Sequence, residues 1–367
     1  MTYIHEQPGW PDFLWDDGKV AIPLANVRLR QGRLIGRMEG LGFDMGEEAV
    51  LQTLTEDVLK SSEIEGEVLD RAQVRSSVAR RLGMDVAGMV AADHAVEGVV
   101  AMMIDATQNH AAPLTAERLC GWHAALFPTG RSGFLKITVA AWRTDASGPM
   151  QVVSGPAGRE RVHFQAPPAA MLEAEMARFL GWFEGSHSLD PLLKAAIAHL
   201  WFVTIHPFDD GNGRIARAIA DLALARSENS GRRFYSVSGH LRRARDDYYR
   251  MLETTQKVGM DITPWLLWFF DCLGQAMAAS EVVLAQVMRK SRFWQINQAS
   301  SLNARQRLVL NRMLDGLEGR MTTSKWARMA KCSPDTALRD ITDLTRAGLL
   351  VKDAARGRST GYGLVES

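Results

Sequence analysis

Cysteine is scarce in the 367-residue chain: there are three, Cys120, Cys272 and Cys332, odd in number and far apart. Neither a disulfide framework nor a zinc-ligand spacing can be written for them, and a reducing, cytoplasmic compartment fits best. Long apolar runs are also lacking. The most apolar stretches, Ala195 to Ile205 and Trp265 to Phe270, fall well short of the roughly 20 residues that a membrane span requires. The opening MTYIHEQPGWPDFLWDD has no basic segment followed by an apolar one, so neither a signal peptide nor a membrane partner is expected. An excess of one charge is missing too. With 43 basic and 42 acidic residues the net charge is +1, so no whole-molecule field draws the chain to nucleic acid, and any basic patch must be local. Glycine and proline, 31 and 13, are too few for collagen-like sequence, and 46% hydrophobic residues exclude a largely disordered chain.

What is present is mainly α. The length predicts two or three domains. Residues 1–85 open with Trp10, Trp15 and three prolines, then turn helical, with Leu51, Leu54 and Val58 on one stripe and Val74 and Val78 on another. Residues 86–275 are mostly long helical patterns, for example Leu192 to Thr204 and Ile215 to Leu224. They are interrupted by MQVVSG and RERVHFQ around a Pro/Gly turn, a hairpin signal. A helical connector, 276–300, leads to a last unit, 301–367. That unit reads as helix (Ala304 to Leu314), helix (Thr322 to Ala330) and helix (Pro334 to Ala347), then two strands around a basic glycine-rich turn. Ser333 is a ready N-cap, Pro334 suits the first helical position and Gly348 the C′ position. The order is that of a winged helix-turn-helix.

The densest chemical signal is HPFDDGNGRIAR, His206 to Arg217. Gly211, Asn212 and Gly213 entering a helix make an anion cradle from outward N–H groups and the helix dipole. Arg214 and Arg217, three apart, lie on neighbouring positions of one helix face and can fork onto phosphate oxygens. A carboxylate in such a cradle would repel phosphate unless a divalent cation lay between them, which makes Asp209 or Asp210 a candidate Mg²⁺ ligand. His206, titrating near neutrality, is suited to take a proton from an incoming hydroxyl.

This segment resembles the Fic family signature, HxFx(D/E)GNGRxxR, at every defined position. The resemblance implies an all-helical core that transfers AMP from ATP to a protein hydroxyl and releases pyrophosphate. By position, His206 matches the general base, Phe208 the core anchor and Asp210 the Mg²⁺ ligand. Gly211, Asn212 and Gly213 match the phosphate nest, and Arg214 and Arg217 the β- and γ-phosphate contacts. The hairpin is similar to the family's flap, with Val152, Val153, Val162 and His163 placed to dock a target's Ser, Thr or Tyr segment by strand addition. Upstream, SSEIEG resembles the inhibitory motif (S/T)xxxE(G/N), with Ser61, Glu65 and Gly66 in its defined positions; it implies that Glu65 pairs with Arg217 and holds the protein off. Self-modification, removal of AMP with Glu65 positioning water, and a homodimer remain open. Tyr248 or Tyr249 faces either the adenine or the core.

The competing reading is a DNA-binding regulator in which the nucleotide site is a sensor. Residues 301–367 carry twelve Lys or Arg against seven Asp or Glu, a local surplus of five. Asp335, Asp340 and Asp343 on the third helix weaken that case, and a module for protein contact or dimerisation fits the same order. An imidazole beside the phosphates favours the enzyme, since a sensor needs no base.

Overall fold

In the computed structural model, residues 2–39, 43–84, 89–146, 148–156, 158–186, 188–297, 301–314, 319–353 and 360–365 are described. The elements are, in order, α1 (Asp17–Glu39), α2 (Phe43–Ile64), α3 (Arg71–Arg81), α4 (His94–Gln108) and α5 (Ala116–Leu126). Two hairpins follow, β1 (Arg131–Ser132) with β2 (Leu135–Lys136), and β3 (Gln151–Ser154) with β4 (Arg161–Gln165). Then come α6 (Leu172–Glu184), α7 (Pro191–Ile205), α8 (Asn212–Glu228), α9 (Val237–Arg243), α10 (Arg245–Val258) and α11 (Thr263–Ile296). The last elements are α12 (Ala304–Leu314), α13 (Thr323–Ala330), α14 (Pro334–Arg346), β5 (Leu350–Lys352) and β6 (Tyr362–Leu364). The protein is mainly helical, as its sequence leads one to expect. The boundary near 85, the end of the connector at 298–300 and the basic turn at 354–359 lie outside the described residues.

The chain divides into two compact units, Met1–Ser280 and Glu281–Ser367. Helix α11 runs unbroken from Thr263 to Ile296, across the expected start of the connector at 276.

In the first unit α7 is apolar on every side and almost wholly buried, which makes it the central helix around which the others pack. Asp190 caps its start by accepting from the Leu192 amide, with Pro191 in the first turn, where its missing N–H costs nothing. Helix α8 returns alongside α7, burying Ile215, Ala218, Ile219 and Leu222. Helix α2 turns the Leu51, Leu54 and Val58 stripe inward and rests on α9. Its Asp57, fully buried, accepts from the Ser236 hydroxyl at 2.6 Å and the Ser238 amide at 3.2 Å, so a carboxylate of α2 caps the start of α9.

The second unit has the expected order of three helices and a two-stranded hairpin. Trp326, Ile341, Leu344 and Leu350 lie at its core, and Ser333 caps α14 by accepting from the Thr336 amide. Asp340, one of the three acids set against DNA contact, is only 4% exposed; it accepts from Asn303 and Arg305 and so belongs to the interior.

Helices α4 and α5 meet at Gly98, where an added Cβ would collide with the backbone carbonyl of Ala125. Gly98→Ala should therefore force the helices apart and cost about 1–3 kcal/mol, as overpacking does. The check is thermal unfolding followed by circular dichroism, with Gly121→Ala, where a Cβ meets open space, as the neutral comparison.

Candidate active site

The site forms where α7 stops and α8 begins. His206 ends α7 in the left-handed region, with φ +53 and ψ +57. Its Nδ1 lies 3.1 Å from the Val203 carbonyl, an acceptor, so Nδ1 carries the proton and Nε2 keeps a free lone pair. Burial, then the nearby Arg143 guanidinium, outweigh the opposing pull of the Val203 carbonyl, Glu65 and Asp210. The imidazole is pushed down to about 4 and stays neutral near pH 7.

Phe208 is fully buried and stacks on His123, with centroids 4.2 Å apart and planes at 6°. The Asn212 side chain clasps this residue, its Oδ1 accepting from the Phe208 amide at 3.0 Å and its Nδ2 donating to the Phe208 carbonyl at 2.8 Å. The amide of Asn212 is therefore spent on holding the loop. Gly211, at φ +79, needs to be glycine twice over: the backbone is left-handed, and a Cβ would lie 2.9 Å from the Phe127 ring.

The two acids part company. Asp209 accepts from the Thr138 amide at 2.8 Å. Asp210 accepts from the Gly211 amide at 2.5 Å and, through its other oxygen, from the Ser132 hydroxyl on β1. A carboxylate has about four lone-pair sites, so Asp210 retains capacity for a cation. Among the described residues no group of three or more His, Cys, Asp or Glu is arranged to hold a metal. One carboxylate is nonetheless what Mg²⁺ uses when phosphates and waters complete its shell.

The second face of the site comes from the end of α2. Gly66, at φ +87, takes the left-handed C′ position; its amide donates to the Glu63 carbonyl and the Glu67 amide to the Ser62 carbonyl, a Schellman closure. Glu65 thus sits in a turn just past the helix rather than on its face. Its carboxylate accepts from Arg217 Nη2 at 2.8 Å, while Arg217 also donates to the Ser61 carbonyl and hydroxyl, both at 2.9 Å. The carboxylate rests against Gly213, where a Cβ would collide with it, so an anion already occupies the start of α8. Burial works against the charge of Arg217, yet Glu65 holds its pKa above the ordinary arginine value. Glu67, which the motif does not include, pairs with Arg214 at 2.6 Å, and Arg214 lies over the Phe127 ring. Arg217 Nη1 and Arg214 Nε are buried without a partner among the described residues.

Tyr248 belongs to the core: it is 2% exposed, hydrogen-bonded to His199 at 2.8 Å and stacked on Trp268. Tyr249 faces the site, its hydroxyl 3.4 Å from Glu65 Oε2. In the β3–β4 hairpin Val153 pairs with Val162, 47% and 39% exposed, and Val152 with Phe164. The His163 ring turns elsewhere, to Glu253 of α10 at 2.7 Å, and Arg161 reaches the same carboxylate. Among the described residues β3 pairs with β4 alone.

A family model described as Fic/DOC family matches residues 113–224, which include the whole segment from His206 to Arg217. Over these residues the chain is similar to the Fic family. A second family model, described as a domain of unknown function (DUF4172), matches residues 3–84 and so covers Glu65 and Glu67. Among curated relatives, the uridine 5'-monophosphate transferase of Xanthomonas campestris pv. campestris is 48% identical over 67 residues, 16% of this chain and 12% of that protein. The protein adenylyltransferase Fic of Drosophila grimshawi is 36% identical over 99 residues, 26% of this chain and 19% of that one. The chain thus matches less than a fifth of these relatives' length. A crystal structure of a Fic family protein from Desulfovibrio desulfuricans G20 superposes with a TM-score of 0.51 at 20% identity, covering 95% of this chain and 96% of that chain, a likeness of fold.

Burial, then the charge of Glu65, push the Tyr249 phenol up to about 12. Glu65→Gln removes that charge and should lower the Tyr249 midpoint by about one pH unit. Ultraviolet titration of tyrosinate, with Tyr249→Phe to assign the signal, reads the change.

Proposed function

We propose that this Fic chain is an autoinhibited nucleotidyltransferase that moves AMP from ATP to a hydroxyl of a target protein or of itself. The observation that carries the reading is the Glu65 carboxylate seated on Gly213 and bound to Arg217: the protein places its own anion where a polyphosphate would lie. The unpartnered Arg217 Nη1 and Arg214 Nε add donors for further phosphate oxygens.

In the transfer, the acceptor hydroxyl gives its proton to His206 Nε2 as its oxygen attacks the α-phosphorus. The bond to the bridging oxygen breaks and pyrophosphate departs. Asp210 would hold a Mg²⁺ ion, which would supply charge neutralisation for the phosphates. The amides at the start of α8 hold the polyphosphate, and the unpaired edge of β3 receives the target segment as an added strand. His163, whose ring is bound to Glu253 at 2.7 Å, ties the hairpin to α10.

Both acids of the α2 turn block the site. A hydrogen bond between charged groups contributes about 1.5–3 kcal/mol, so Glu65→Gly should raise transfer roughly 10- to 100-fold. The Glu67–Arg214 pair is discounted for solvent because Glu67 is 45% exposed; at about 0.5–1 kcal/mol, Glu67→Gln should add a further two- to fivefold. His206→Ala abolishes transfer in either background. Incorporation of label from α-labelled ATP, beside the other nucleoside triphosphates since one relative is named a UMP transferase, measures all of these in lysate and on the protein itself. Labelling unchanged by Glu65→Gly refutes the reading.

The second unit is read as a winged helix that contacts a target or partner. Interior placement of Asp340 leaves DNA contact as the rival. A shift assay on scrambled duplex should give no salt-sensitive binding.

A further inference from the structure

Arg143 lies outside the signature, in the loop between β2 and β3, and its side chain is fully buried. Its partners account for that burial. Nε donates to the His206 carbonyl at 2.8 Å, Nη2 to the Pro167 carbonyl at 2.6 Å and Nη1 to Asp145 Oδ1 at 3.1 Å. Its own amide donates to the Pro207 carbonyl at 2.9 Å. One residue therefore joins three segments: the end of α7, the loop before β3 and the chain leaving β4.

His206 depends on such a tie. A residue with a Cβ adopts the left-handed conformation only where its surroundings impose it. Its carbonyl, past the end of a helix, has no helical donor, and a buried carbonyl needs one. Arg143 supplies that donor and fixes the next peptide through Pro207. Were the turn to relax, an imidazole displaced by about 1 Å would lose on the order of 10²-fold in rate.

We propose that Arg143 is the positioning residue of this site, pinning the His206 turn and the root of the β3–β4 hairpin to one another so that base and docking strand are held as one body. The part concerning the docking strand rests on the transferase reading; the pinning of His206 does not. The guanidinium also acts by charge. Arg143 disfavours the imidazolium, whereas Glu65 and Asp210, the other charged groups facing His206, favour it; Asp145 and Asp209 in turn face Arg143. Removing Arg143 therefore lets His206 bind its proton at higher pH, and removing the Asp145 charge has the opposite sign.

The test titrates His206 by NMR in the full chain with labelled histidine, without nucleotide or Mg²⁺, the signal assigned by its loss in His206→Ala. Arg143→Met should raise the midpoint by about one pH unit, Asp145→Asn should lower it, and Arg143→Lys should leave it nearly in place. In the Glu65→Gly background, Arg143→Lys should cut kcat about tenfold or more with little change in KM for ATP, because an ammonium cannot fork across two carbonyls. The acid limb of its pH profile should stay where it was. An unmoved His206 midpoint in both the Met and Asn variants, or undiminished kcat in the Lys variant, overturns the proposal. If Arg143→Met fails to fold, the direction of the Asp145→Asn shift decides. If Glu65→Gly itself transfers nothing, the transferase reading fails, and the titration alone judges the pinning.

Discussion

A buried guanidinium has to be matched by an anion, and leaving one uncompensated costs about 3–5 kcal/mol. Arg214 and Arg217 are 3% and 2% exposed at the start of α8, so the fold requires negative charge there at all times. In the structure Glu65 and Glu67 meet that requirement. On the proposed reading an entering nucleotide would meet it through its phosphates. Under the proposed reading the off state and the substrate complex are two solutions to one electrostatic demand, and the balance between them is a competition for the same donors.

The scaffold makes that competition local. Helix α2 is held along its length by apolar packing and by the Asp57 cap on α9, while Arg245 binds the Ile64 carbonyl at its end. The two acids that reach the start of α8, Glu65 and Glu67, lie in the turn just beyond α2. The Schellman closure at Gly66 places Glu65 and Glu67 two residues apart with both directed at α8, so one displacement of the turn would withdraw both.

Much of this is legible from the chain alone because the signals are contiguous. The twelve residues from His206 to Arg217 hold an imidazole, a glycine turn and two arginines within one loop and one helix. Helices with clear apolar stripes and caps, such as α2 and α14, can be read from their own periodicity. What escapes such a reading is long-range. Arg143 meets His206 across 63 residues and Glu67 meets Arg214 across 147, and no local pattern marks either. The β1–β2 hairpin, two residues to a strand, is too short to show alternation. Gly98 resembles any helical glycine until α5 is laid against it. The clasp of the Asn212 side chain on the Phe208 peptide is likewise invisible in the sequence, which shows only a turn residue at that position.

Gly213 carries a consequence for how such a protein can vary. Its bare Cα is the seat of the Glu65 carboxylate and, on the proposed reading, of a phosphate. Switch and machine therefore share a residue, and a substitution in the signature that evicted the glutamate would spoil the ground the nucleotide needs. On that reading, gain of activity by mutation is channelled into the turn after α2, where restraint alone can be lost, while the most recognisable stretch of the chain can mutate only towards silence.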